Sequence, residues 1–344
     1  MSNLYQKMSN SNRIDYIDVA KGLCMVLVVW QHTHTYYLDL ETGEHWLESF
    51  RMPLFFLISG MFFKTYGSFT EFLKKKANTL IIPFLFFYLT LSVLLPNILY
   101  AIGYDGLRES SSLGWGSLFN CIFEKTYSNS PVWFLLALLW LNFLFYGIGY
   151  VSLKIGGSKY YLVASLSAFC GLIGFFLGVN KVFVWANIDN ALTACPFFCF
   201  GYLLKKSGKV DNPPNTKILI WTIIIGLIIT MLFSHGLSFK QNKWEIDDLL
   251  PLYGCGIIGS LSIIAIAKFV ENSQLLKFYG KNTLIILCMQ MPVIQAVNLV
   301  IKKVGLNPMG EFLLTFVSVM LAFCVVIPIA NKYIPWFVGK KNLI

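Results

Sequence analysis

The sequence predicts an all-α, polytopic membrane protein with about ten transmembrane helices and both termini in the cytoplasm. Three observations predict it. The 344 residues are 56% hydrophobic and only 13% charged, whereas a soluble domain carries about 25% charged residues. Apolar runs of about 17–25 residues, enough to cross a bilayer, recur along the chain. Lys and Arg gather in alternate connections, and that bias sets orientation.

A globular protein could not hide this much apolar surface from water, whereas a bilayer accepts it. Thirty Phe, 17 Tyr and 9 Trp suit lipid-facing surfaces and interfacial belts. The reading is one integral-membrane domain over 1–344, with 1–17 a cytoplasmic N-terminal segment and 335–344 a cytoplasmic tail. The net charge of +10 fits basic residues anchoring cytoplasmic loops. No stretch builds a soluble basic face, so nucleic acid is excluded as a partner. The first twelve residues are polar, without a cleavable signal, so the first helix directs insertion. Seven cysteines (Cys24, Cys170, Cys195, Cys199, Cys255, Cys288 and Cys324) lie in apolar runs and Cys121 in an expected loop. Without a CxxC pair they read as small buried hydrophobes.

In order, the expected spans are 19–38, 47–63, 80–102, 132–151, 160–179, 188–204, 218–233, 249–269, 283–301 and 312–334. With the N-terminus inside, cytoplasmic loops hold Lys64 and Lys74–Lys76; Lys154 and Lys159; Lys205, Lys206, Lys209 and Lys217; and Lys277 and Lys281. Lys340 and Lys341 follow in the tail. The opposite loops carry mixed charge: Asp39, Glu41 and Glu44; Asp105, Arg108 and Glu109; and 240–248. Lys302 and Lys303 are the exception. The longest outer loops, 103–130 and 234–248, either cover an outer cavity or simply connect spans.

The first span, DYIDVAKGLCMVLVVWQHTHTYYL, carries the chemistry. Lys21, Gln31, His32 and His34 within one helix exclude lipid on all sides. Lys21 and His32 are eleven residues apart, close to three whole turns, so they share a face. The rise of about 1.5 Å per residue sets His32 roughly 16 Å beyond Lys21. Asp18 lies one turn below Lys21 on nearly the same stripe. The stripe thus offers a cation at the inner mouth and an imidazole deep inside. The imidazole either acts as a general base or is a structural histidine bonded to a neighbouring helix. His34 is about 200° away on the helix wheel and faces elsewhere.

In the second span, Arg51 precedes Met52–Pro53, and a Pro there fits a helix start. Arg51 either grips a carboxylate or phosphate or snorkels to the interface. Ser59–Gly60 reads as close helix packing. The Lys74–Lys76 run either clamps phosphates or marks orientation and touches acidic lipid.

The segments IDVAKGLCMVLVVWQH, FRMPLFFLISGMFF, KKKANTLIIPF, VWFLLALLW, PFFCFGYLLK and YGKNTLIILCMQ, in this order, resemble the acyltransferase-3 family of membrane acyltransferases, closest to its fucose 4-O-acetylase-like branch. The resemblance implies a ten-helix core. It also implies a hallmark of a basic residue, ten intervening residues and an essential histidine, which Lys21 and His32 match. Lys21 stands where many members have Arg. Of an Arg-x-x-Arg pair before the third helix, the matching positions are Lys76 and Thr79. Arg51 and Gln290 stand where a histidine is common. The implied catalytic set is His32, Lys21 and Asp18. Lys21, Lys74, Lys75 and Lys76 face the donor, and Arg51, Trp133 and Gln290 face the acceptor.

The implied activity is acyl transfer from cytosolic acetyl-CoA to a hydroxyl of a cell-envelope glycan or lipid-linked sugar, in the bacterial inner membrane. No cofactor is expected to be bound permanently, and no metal constellation is visible in the sequence. The remaining partners are membrane lipids. Two other readings stay open: a transporter or glycan flippase, for which no internal repeat is found, and succinyl rather than acetyl transfer.

Overall fold

The computed structural model describes residues 14–37, 44–64, 66–101, 115–123, 129–155, 159–234, 239 and 242–344. Among them, every regular element is a helix: α1 (Asp15–Tyr37), α2 (Glu48–Met61), α3 (Phe69–Ala101), α4 (Trp115–Phe123), α5 (Trp133–Ile155), α6 (Lys159–Val179), α7 (Ile188–Lys206), α8 (Thr216–Phe233), α9 (Leu249–Phe269), α10 (Gln274–Lys281), α11 (Thr283–Ile301) and α12 (Pro308–Tyr333). Seven of the described helices, α3, α5, α6, α8, α9, α11 and α12, are long and apolar enough to cross a bilayer. The chain is therefore a multi-pass membrane protein. The expected loop charges Asp39, Glu41, Asp105, Arg108, Glu109 and Lys240 lie outside the described residues.

The three other expected spans coincide with α1, α2 and α7, and these differ from the seven for one reason. They form the middle of the bundle: α7 packs on α2 and α6, α2 on α9, and α1 on α9, α10 and α12. A helix surrounded by protein need not be apolar all round. So α1 keeps Asp15, Asp18 and Lys21, α7 keeps Asp189, and α2 is only 14 residues long. By contrast, only 11% of the apolar window of α8 is buried, which leaves its surface for lipid.

Close backbone crossings hold this centre together. A Cβ on Gly60 of α2 would collide with the Phe198 carbonyl of α7, and one on Gly201 of α7 with the Leu57 carbonyl of α2. The two glycines thus let each backbone approach the other, as Ser59–Gly60 suggested. A second crossing joins α1 to the short helix α10, where Gly280 meets the Asp18 carbonyl and Gly22 the Leu276 carbonyl.

Four elements differ from expectation. In the second span, Pro53 lies inside α2 rather than at its start. The third extends down to Phe69. α10 was not foreseen. Cys121, expected in a loop, lies buried in α4. Of the other cysteines, Cys170 is only half-buried and Cys324 is exposed on α12.

Along α3, two wide π turns, Ala77–Ile81 and Tyr88–Leu94, run up to or just before Pro83 and Pro96. A proline has no N–H for the carbonyl four residues back, and its ring clashes with that carbonyl. For Pro83 that carbonyl belongs to Thr79. The first π turn also holds Asn78, which is buried. Its Oδ1 accepts from the backbone N–H of Leu343 at 2.5 Å and of Ile344 at 3.1 Å. Its Nδ2 donates to the Ile344 carbonyl at 2.7 Å. Phe337 stacks on Phe86 at 4.0 Å, so the segment after α12 is strapped along α3. Asn78→Ala is expected to speed amide exchange at Leu343 and Ile344 at least about tenfold, from loss of bonds worth about 1 kcal/mol each; exchange mass spectrometry of the terminal peptide checks this.

Lys64, Lys205 and Lys206 meet near the start of α1 at one end of the bundle. There Lys277 pairs with Asp15 at 2.7 Å and Lys340 donates to the Lys281 carbonyl. At the opposite end, Asn242 Nδ2 donates to the buried Asp189 carboxylate at 3.1 Å, and Trp244 Nε1 donates to Asn242 Oδ1 at 2.9 Å. Ala186, Asn187 and Asn242 there adopt positive φ.

Candidate functional site

The face of α1 that bears Lys21 opens onto a cavity of about 180 Å³. α1 contributes Lys21 and Met25, α2 Phe55, Ile58 and Ser59, and α3 Thr79 and Leu80. α5 contributes Phe134, Leu135 and Leu138, and α11 Thr283, Leu284 and Leu287. The space is a narrow apolar slot. Its polar groups are one ammonium and three hydroxyls, and two of those are turned back: Ser59 Oγ donates to the Phe55 carbonyl and Thr79 Oγ1 to the Lys75 carbonyl, each at 2.8 Å. Lys21 is therefore its one charged group.

At the lower end of the expected stripe on α1, Asp18 and Lys21 stand together. Lys21 Nζ lies 2.5 Å from Asp18 Oδ1, with 22% and 4% of the two side chains exposed. The buried carboxylate fixes the ammonium at the cavity wall. Met25 stands one turn above Lys21, and His32 about two further turns above Met25. His32 is half-buried. Trp30 and His34 project to another side: Trp30 packs edge-on against Phe312 and Phe316 at 4.7 and 5.0 Å, and His34 packs on Phe312 at 5.3 Å. His34 thus packs against α12.

The other candidate residues divide. Arg51 is buried, not at the interface. Its guanidinium donates to the Leu27 carbonyl of α1 at 3.1 Å and lies 3.5 Å from Glu48. It braces α1 about one turn below His32. Gln290 is fully buried on α11. α11 runs alongside α1 in the same sense: Leu287 shares the cavity with Lys21, and the Tyr37 hydroxyl donates to Asn298. Gln290 stands between these two rungs. Its Nε2 donates to the Leu287 carbonyl at 3.3 Å, while its Oε1 is buried without a protein partner. Trp133 is buried at the start of α5, edge-on to Phe134, which lines the cavity. Just before it, Asn129 Nδ2 donates to the Cys288 carbonyl at 2.7 Å. This chain segment therefore reaches the middle of α11 before α5 begins.

The three lysines of the run have different surroundings. Lys74 and Lys75 are exposed. Lys76 instead lies 5.8 Å from the centres of three rings, Phe63, Tyr66 and Phe72. Of the pair Lys76 and Thr79, only Thr79 lines the cavity. Sequence reasoning missed the hydroxyls of Ser59 and Thr283. Thr79 was named only through the family's Arg-x-x-Arg pair. Among the described residues, no group of three or more His, Cys, Asp or Glu is placed to hold a metal ion.

The acyltransferase-3 family model, an acyltransferase domain, matches residues 14–331. No curated protein and no solved structure matches the chain.

Proposed function

The chain belongs to the acyltransferase-3 family, and we propose that it is an O-acetyltransferase of the bacterial inner membrane. The donor is cytosolic acetyl-CoA. The acceptor is a hydroxyl of a cell-envelope sugar or glycan, as in the fucose 4-O-acetylase-like branch. One observation carries this reading: the slot that starts at Lys21 lies on the α1 stripe that ends in His32. A narrow apolar passage with a cation at one end suits a pantetheine arm, whose thioester would then approach His32.

In this reading a neutral His32 takes the proton of the sugar hydroxyl as its oxygen attacks the thioester carbonyl. A tetrahedral oxyanion forms. It collapses with cleavage of the C–S bond, and the departing thiolate takes the proton from the imidazolium. The products are an O-acetyl ester and free CoA. Gln290 and Trp133 lie on the elements beside this path and would orient the acceptor. Arg51 holds α1 in place from α2.

Membranes containing the protein, supplied with acetyl-labelled acetyl-CoA, are expected to yield envelope glycans heavier by one acetyl group, with release of free CoA. A mass increment of succinyl on succinyl-CoA alone would replace the donor. Solute movement with no CoA released would replace the whole reading with transport.

Lys21→Ala is expected to raise the apparent KM for acetyl-CoA about tenfold or more, the worth of a lost charge-assisted contact. That variant also removes the Lys21 ammonium from the buried Asp18 carboxylate, so Asp18→Asn with Lys21→Met serves as the stability-matched comparison. An unchanged KM in both would remove Lys21 from donor binding.

A further inference from the structure

We infer that a second, wider crevice at the lysine-rich end binds the phosphorylated adenosine end of the acyl-CoA; the inference rests on the donor reading above. The crevice, about 650 Å³, lies where the start of α1, the end of α2 and the end of α7 meet. Its walls include Phe62, Phe63, Lys64, Tyr202, Lys205 and Lys206. These lysines were legible in the sequence only as orientation signals.

Three features point to a nucleotide. The first is charge. Three ammonium groups face one carboxylate, Asp211, and Lys205 is paired with it. Lys64 and Lys206 are left exposed at the walls, within reach of phosphate oxygens. The second is the aromatic surface. Phe62 is 41% exposed, and Lys206 Nζ lies 5.6 Å from the Tyr202 ring. A purine can stack where such faces are open. The third is rigidity. The turn after α7 is tied to α1, because the Tyr16 hydroxyl donates to the Val210 carbonyl. Gly208, at φ 74°, supplies the left-handed residue that this turn needs.

Position completes the argument. Ile14 in the crevice is two turns, roughly 10 Å, below Lys21 in the slot. Met61 in the crevice follows Ile58 and Ser59 in the slot. The two spaces are thus stacked along the same pair of helices, the wide cationic one outermost. Coenzyme A has the same division: a bulky polyanionic nucleotide and a thin arm. Lys76, which the family resemblance placed near the phosphates, sits behind the Phe63 wall in its ring of aromatics. A phosphorylated lipid headgroup offers similar anion chemistry, so the test separates the two.

Full-length protein in neutral-lipid nanodiscs is titrated with adenosine 3′,5′-bisphosphate. Wild type is expected to bind, and Lys64→Gln/Lys206→Gln to bind at least about tenfold more weakly, with Lys64→Arg/Lys206→Arg close to wild type. The ratio of kcat/KM for acetyl-CoA to that for S-acetylpantetheine is expected to fall by a similar factor in the Gln pair. Equal nucleotide affinity in a monodisperse Gln variant overturns the inference. So does a variant that loses only its binding of anionic-lipid vesicles. If acetyl transfer proceeds but the ratio does not move, the crevice assignment fails and the donor reading stands. If the nucleotide binds through the lysines but acetyl-CoA is never consumed, the donor reading fails and a nucleotide site remains.

Discussion

His32→Ala is expected to lower the rate of acetyl transfer at least about 100-fold, the usual contribution of a positioned general base. The loss should appear in kcat. The slot at Lys21 lies three turns away and keeps its lining, so the KM for acetyl-CoA should move little. Folding should survive, because His32 is only half-buried. His34→Ala makes the contrasting control. His34 is buried against Phe312, so its loss should show in thermal stability rather than in the chemical step. Near-normal turnover by purified, monodisperse His32→Ala protein would defeat the assignment of the base.

Gly60→Leu is expected to remove the folded protein altogether. A side chain at this position runs into the Phe198 carbonyl, and the reciprocal substitution Gly201→Leu runs into the Leu57 carbonyl. Backbone cannot rotate away as a flexible side chain can, so α2 and α7 would have to separate. Overpacking a fitted core commonly costs about 1–3 kcal/mol, and a collision with rigid backbone on both helices should exceed that range. The measurement is the yield of monodisperse protein together with its unfolding temperature. Gly147→Ala is the internal standard: no atom lies within 4 Å of a Cβ placed there, and replacing a helical glycine in open space should be neutral or slightly stabilising. A Gly60→Leu protein that unfolds at the wild-type temperature would show that the crossing is not tight.

The stripe of Lys21 and His32 follows from helical geometry within one segment, and α1 runs as one helix through both residues. The separate facing of His34 and the close packing at Gly60 were legible locally as well. Arg51 was undecided between an anion and the interface, because its partners Leu27 and Glu48 matter only once α2 lies against α1. The Lys74–Lys76 run was likewise undecided between clamping phosphates and marking orientation. The folded chain puts Lys76 among Phe63, Tyr66 and Phe72, the first two of them on a preceding segment whose arrival no local pattern announces.

The sequence by itself determined the class of this protein, the approximate position of each membrane helix and the residues of the α1 stripe. Those follow from hydropathy and from a period of 3.6 residues, both of which act over one or two dozen neighbours. Only the tertiary structure decided that α1, α2 and α7 form the shielded centre, that α10 closes on α1 through Gly280, and that a slot and a lysine-lined crevice stack along α1 and α2. Such spaces belong to no single segment. They are what remains between helices after their glycines, prolines and rings have fixed how closely the backbones approach.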